Sequence, residues 1–103
     1  MVIRESRLFT RLIVGLLGDD DLRVLQNHLV ANPEAGDLIK STAGLRKVRW
    51  AGSGRGKSGG VRVIYYWYVS TDRLYMLDVY AKNERSDLSD KQIKALKKLV
   101  AED

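Results

Sequence analysis

The sequence predicts an α+β domain, a small antiparallel sheet with two helices before it and one after. Three observations carry this. The first third repeats its apolar residues at helical spacing; the stretch from residue 45 to residue 80 turns to alternating, β-branched and aromatic residues; the last fifteen residues return to helical spacing behind a capping signature. Strands and helices do not alternate through the sheet region, so a doubly wound parallel sheet is not predicted. A chain of 103 residues holds one core, and residues 1–103 are read as one domain.

Taken in order, residues 2–4 form a short first strand. From Ser6 onward Leu8, Phe9, Leu12, Ile13 and Leu16 fall on one helical stripe that Gly18 ends. Asp19, Asp20 and Asp21 then supply an N-cap and first-turn negative charge to a second helix with Leu22, Leu25, Leu29 and Val30 as its apolar positions. Asn32-Pro33 stops it, because the residue before proline avoids the helical region. His28 lies beside that stripe as a partly exposed helix residue. Residues 45–50, 61–69 and 74–80 read as three antiparallel strands, the last two joined by Ser70-Thr71-Asp72-Arg73. Ser89-Asp90-Lys91-Gln92 is a capping box opening the last helix. Ile93, Leu96, Leu99 and Val100 face inward there, and Lys91, Lys94, Lys97 and Lys98 outward.

Composition removes several classes of function. There is no cysteine, hence no disulfide and no thiolate chemistry, and a single histidine cannot build a zinc site or a Ser/His triad. No apolar run approaches the ~20 residues that span a bilayer, so no membrane association is expected and the cytoplasm is the expected location. The net charge is +5. Between Asp37 and Asp72 lie Lys40, Arg46, Lys47, Arg49, Arg55, Lys57 and Arg62 and no acidic residue; the remainder of the chain is slightly acidic. A one-signed patch on a near-neutral body attracts a polyanion to one place, whereas evenly spread lysines mainly confer solubility.

The segment Gly52-Ser53-Gly54-Arg55-Gly56-Lys57-Ser58-Gly59-Gly60 invites comparison with a phosphate-binding loop. Such a loop needs a helix behind it, so that successive N–H groups and the helix dipole face the phosphates. Here strand-forming residues follow, and Ala51 stands at the first glycine position. The loop is either a soluble hairpin connection or the rim of a surface formed by its two flanking strands. Alternation puts Leu45, Lys47 and Arg49 on one face of their strand, and Arg62, Ile64, Tyr66 and Tyr68 on one face of the next. If those faces coincide, Lys47, Arg49 and Arg62 form a cationic floor with Tyr66 nearby, and Arg55 and Lys57 reach over the edge. Cations among aromatic rings suit single-stranded RNA, whose phosphates take guanidinium groups and whose bases stack on rings. Trp50, Tyr65 and Trp67 are read as core residues.

Four stretches together carry a family resemblance: residues 44–49 (GLRKVR), residues 54–60 (GRGKSGG), residues 61–66 (VRVIYY), and Tyr80-Ala81-Lys82-Asn83-Glu84 with Asp87-Leu88. In order and spacing they resemble the RelE/HigB-like toxins of type II toxin–antitoxin systems. The resemblance extends over most of the chain and is firmest from Gly44 to Leu88. It implies a fold similar to microbial ribonucleases. It also implies a ribosome-dependent mRNA endonuclease (an mRNA interferase) that needs no metal or other cofactor and inhibits translation. The implied partners are the ribosome, mRNA and a cognate antitoxin, HigA-like and carrying a helix-turn-helix.

Residue by residue, Arg62 matches the strand arginine that acts on the scissile phosphate. Lys47 and Arg49 match the basic pair of the preceding strand, and Lys82 the lysine that ends the last strand. In RelE itself an arginine follows that lysine and a tyrosine lies a few residues on. Asn83 and Ser89 stand there in this chain, which makes the HigB-like branch the closer match. The implied catalytic set is Arg62, Lys82 and Lys47; the implied RNA-binding set is Arg46, Arg49, Arg55, Lys57, Tyr66, Tyr80 and Asn83. A non-catalytic RNA- or rRNA-binding module using the same patch is the competing reading.

Overall fold

In the computed structural model, residues 1–51, 60–84 and 87–103 are described. Five strands and three helices follow one another as β1 (Val2–Glu5), α1 (Arg7–Ile13), α2 (Asp19–Ala31), β2 (Asp37–Leu38), β3 (Arg46–Trp50), β4 (Val61–Tyr68), β5 (Arg73–Ala81) and α3 (Asp90–Glu102). The strands form one sheet in the order β1-β5-β4-β3-β2, antiparallel except where β1 runs parallel to β5. The α+β class and the three central strands agree with the pattern of the sequence. β1 forms where the sequence places a first strand but pairs parallel, and β2 has no counterpart in the sequence pattern. β2 is only two residues long, too short for alternation to reveal, and the parallel pairing of β1 depends on a partner more than sixty residues away.

The sheet separates two apolar layers. On one face Phe9, Ile13, Leu25 and Leu29 from α1 and α2 pack against Val48, Val61, Val63, Tyr65, Leu74, Met76 and Val79. On the other face Leu96 of α3 and Leu88 pack against Leu45, Ile64, Tyr75, Leu77 and Tyr80, with Ile93, Leu99 and Val100 alongside. Tyr65 is fully buried, and Trp50 and Trp67 pack against the first layer, as expected of core aromatics. The His28 ring, half-buried on α2, lies 5.3 Å from that of Trp50.

Local chemistry explains the helix ends. Ser6 caps α1, its Oγ accepting from Phe9 N–H at 3.0 Å and donating to the Leu77 carbonyl at 2.7 Å, so one hydroxyl starts the helix and ties it to β5. α1 is shorter than its apolar stripe suggests, and Gly18, rather than closing it, is the N-cap of α2. Asp19, Asp20 and Asp21 all lie in the first turn of α2, where the helix dipole favours negative charge. At α3 the capping box forms as its residues predict: Ser89 Oγ accepts from Gln92 N–H, and Gln92 Oε1 accepts from Ser89 N–H.

One irregularity shapes the face beneath α3. Ile64 pairs with Asp78 and Tyr65 with Met76, so Leu77 is an extra residue on β5. Such a bulge turns successive side chains toward one face. Leu77 joins the α3 layer, and Asp78, 2 % exposed, lies on the same face.

Candidate nucleic-acid interface

The register across β3, β4 and β5 brings the predicted cations together. Arg49 pairs with Arg62, and Arg62 with Tyr80; in the next row Lys47 pairs with Ile64, and Ile64 with Asp78. Paired residues share a face, and neighbouring strands lie ~5 Å apart. Lys47, Arg49 and Arg62 therefore emerge side by side on the α3 face. Arg49 is exposed, and Arg62 and Lys47 are half-buried. Arg49 and Arg62 stand directly opposite each other, a like-charge pairing that by itself is unfavourable in a sheet.

Gly44 and Gly60 border this surface. Gly44 has φ +125°, and a Cβ there would come within 2.8 Å of the Tyr66 ring. Gly60 has φ +54°, and a Cβ would collide with the Trp50 carbonyl. Both positions require glycine for conformation and for close approach.

Beyond Tyr80 the chain turns. Lys82 N–H donates to the Gly60 carbonyl at 3.4 Å, extending the β4–β5 ladder by one step, and Lys82 and Asn83 are exposed in the turn. The next segment returns past the basic row, where Asp87 Oδ1 lies 3.6 Å from Lys47 Nζ and accepts from Leu88 N–H at 2.8 Å. Lys47 thus has a carboxylate neighbour beside its cationic ones.

Two members of the predicted RNA-binding set sit elsewhere. Arg46 pairs with Tyr65 and points to the α1/α2 face, one residue out of phase with Lys47. Its Nη1 donates to the Gly36 carbonyl at 2.8 Å and the Glu34 carbonyl at 3.3 Å, fastening the segment before β2. Tyr65 completes that fastening, its hydroxyl donating to the Pro33 carbonyl and accepting from Gly36 N–H. Burial raises the Tyr65 pKa above the ordinary 10, against a smaller lowering by the Gly36 hydrogen bond and the Arg46 charge. Tyr80 lies in the row of Arg62, but at 2 % exposed its ring is enclosed with Leu88 and Leu96 and offers no face to a base. Tyr66 remains half-buried at the surface, edge-on to Tyr68 with ring centroids 4.8 Å apart. Arg55 and Lys57 lie outside the described residues.

Three acidic residues near the row were not singled out by pattern. Asp78 is a lone carboxylate in an otherwise apolar strand, which was the signal available for it; its Oδ1 accepts from Val79 N–H. Asp87 and Glu84 belong to the stretches that carry the family resemblance, but their contacts depend on the tertiary turn. Among the described residues no group of three or more His, Cys, Asp or Glu side chains could hold a metal ion.

Residues 26–102 match a family model described as the RelE toxin of the RelE / RelB toxin-antitoxin system. The chain resembles the crystal structure of the isolated E. coli RelE toxin, with 14 % identity, TM-score 0.58, and coverage of 95 % of this chain and 97 % of that one. It likewise resembles a double arginine-to-alanine mutant of E. coli RelE in the free state, with 14 % identity, TM-score 0.56, and coverage of 96 % and 95 %. At such identity the structural likeness is one of fold.

Proposed function

Because the chain belongs to the RelE toxin family, we propose that it is an endoribonuclease toxin that cuts mRNA on the ribosome and is held in check by an antitoxin partner. The observation that carries this reading is the row in which Arg49 and Arg62 stand opposite each other with Lys47 beside them. In the proposed reaction the RNA 2′-oxygen attacks the adjacent phosphorus. The 2′-hydroxyl gives up its proton to a base or to water as the O2′–P bond forms, the P–O5′ bond breaks, and the 5′-oxygen takes up a proton, leaving a 2′,3′-cyclic phosphate and a 5′-hydroxyl. Arg62 donates to the non-bridging oxygens as negative charge grows on them. Arg49 and Lys47 hold the backbone, Lys82 handles the leaving oxygen, and Tyr66 contacts the RNA. Much of the acceleration then comes from holding the message in line, which suits a toxin working inside a large external scaffold. Asn83 extends the same contact surface, and the sequence adds Arg55 and Lys57 to the proposed RNA contacts. The Lys82-Asn83-Glu84 stretch supports a HigB-like variant with a helix-turn-helix antitoxin. Working on ribosomes places the protein in the cytoplasm; no helix among the described residues is long and apolar enough to cross a membrane.

A non-catalytic RNA-binding module is favoured by one observation: the single histidine packs on Trp50 and not in the basic row. Product ends separate the two readings. Incubation with programmed ribosomes yields cyclic-phosphate termini if the protein is a nuclease and intact, bound message if it is a binder.

A further inference from the structure

We infer that Glu84 is a positioning residue for Lys82, an inference that rests on the reading of Lys82 given above. An acid in a phosphate-binding rim repels its ligand, so its presence there calls for a compensating role. The structure shows what its carboxylate does. Glu84 Oε1 accepts from Ala81 N–H at 3.1 Å, and Glu84 N–H donates to the Ala81 carbonyl at 3.0 Å. These two bonds close the turn from both sides around Lys82 and Asn83.

Ala81 needs that acceptor. β1 ends at Glu5, opposite Met76, so at Ala81 strand β5 has a strand neighbour on the β4 side only. The Lys82 N–H is the last rung toward β4, reaching the Gly60 carbonyl at 3.4 Å. Side-chain alternation from Arg62's partner Tyr80 carries the next same-face position to residue 82. Among the described residues the Glu84 carboxylate is the acceptor that holds the Ala81 N–H on the sheet's open side, and without it Lys82, on a flexible four-carbon stem, would lose its register relative to the row of Arg49 and Arg62. The residue acts through its acceptor oxygen, not its charge, and this distinguishes it from a general base.

The test is a set of three variants measured in single-turnover cleavage on programmed ribosomes and, separately, by amide hydrogen exchange. Glu84→Gln keeps an acceptor oxygen and is expected within about threefold of the wild-type rate, whereas Glu84→Ala falls by about 10- to 100-fold, the scale of a misplaced group. The double variant Glu84→Ala/Lys82→Ala is expected to be no slower than Lys82→Ala alone, because residues acting as a unit are non-additive. The Ala81 amide stays protected in Glu84→Gln and exchanges faster in Glu84→Ala, with the rest of β5 unchanged. A Glu84→Gln rate as low as that of Glu84→Ala would overturn the inference in favour of a direct acid–base role. Wild-type cleavage by Glu84→Ala or by Lys82→Ala, multiplicative losses in the double variant, or unaltered Ala81 exchange would also overturn it. If the wild-type chain cuts nothing, the nuclease reading fails, and the exchange data alone decide whether Glu84 holds the turn.

Discussion

Both ends of the α3-covered face carry arginines, and the two ends treat them in opposite ways. At one end Arg4 and Arg73 converge on Asp103. Each donates to a different carboxylate oxygen at 2.7 Å, and the Asp103 side chain is only 5 % exposed. Arg73 also lies 4.3 Å above the Tyr68 ring, and the Tyr68 hydroxyl donates to the Val100 carbonyl, so the charges fasten the end of α3. At the other end Arg49, Arg62 and Lys47 crowd together, with Asp87 the carboxylate that reaches Lys47 at the rim. The same residue type therefore serves stability where its partner is supplied by the chain. Where Arg49 and Arg62 are set opposite one another, the proposed reading gives the same residue type a ligand-binding task.

Removing Arg62 sharpens the contrast most. Arg62→Ala is expected to lower cleavage by about 10²–10³-fold, the loss typical of one donor to a developing oxyanion. The variant is expected to remain folded, read as a cooperative melt. A fall in stability with full cleavage would invert the comparison. Lys47→Ala and Lys82→Met are expected to give partial losses, about tenfold or more, in the same single-turnover assay. At the opposite end Asp103→Ala leaves two arginines without their shared carboxylate. It is expected to destabilise by about 1–3 kcal/mol, read as a lower Tm at unchanged cleavage by the folded protein.

Alkaline unfolding probes the stability end specifically. Burial raises the Tyr68 pKa first, with Asp103 adding to it and Arg73 opposing, and burial likewise raises that of Tyr65. A folded-state pKa above the unfolded value of 10.0 means that stability is fully present below about pH 10 and is lost as pH rises through the folded values. Urea titrations across that range should show this decline, and Tyr65→Phe should flatten it at the expense of baseline stability. The smallest expected effect is that of Arg49→Ala, which should weaken RNA binding and reduce the slope of log K against log salt by about one. An unchanged slope would place Arg49 outside the interface.

Much of this organisation is legible in the sequence, for identifiable reasons. Period-two alternation places Lys47, Arg49 and Arg62 on single faces of their strands, and the acid-free stretch marks where positive charge collects. The Ser89-to-Gln92 box announces α3. Alternation also contains the information about Arg46, because it is out of phase with Lys47; grouping residues by charge alone obscures that. The burial of Tyr80 is not readable locally. It results from Leu88 and Leu96 arriving from a later segment, and the Leu77 bulge beside it is a tertiary accommodation. The Asp103 clamp depends on β1 pairing with β5, a contact between distant parts of the chain.

The central claim is that the Arg49–Arg62 row grips a scissile RNA phosphate. Its most direct test is to map mRNA termini after incubation of wild-type and Arg62→Ala protein with programmed ribosomes. The account predicts 2′,3′-cyclic phosphate and 5′-hydroxyl ends that vanish with Arg62→Ala. Uncut message with bound wild-type protein, or the same cuts made by folded Arg62→Ala, would contradict it.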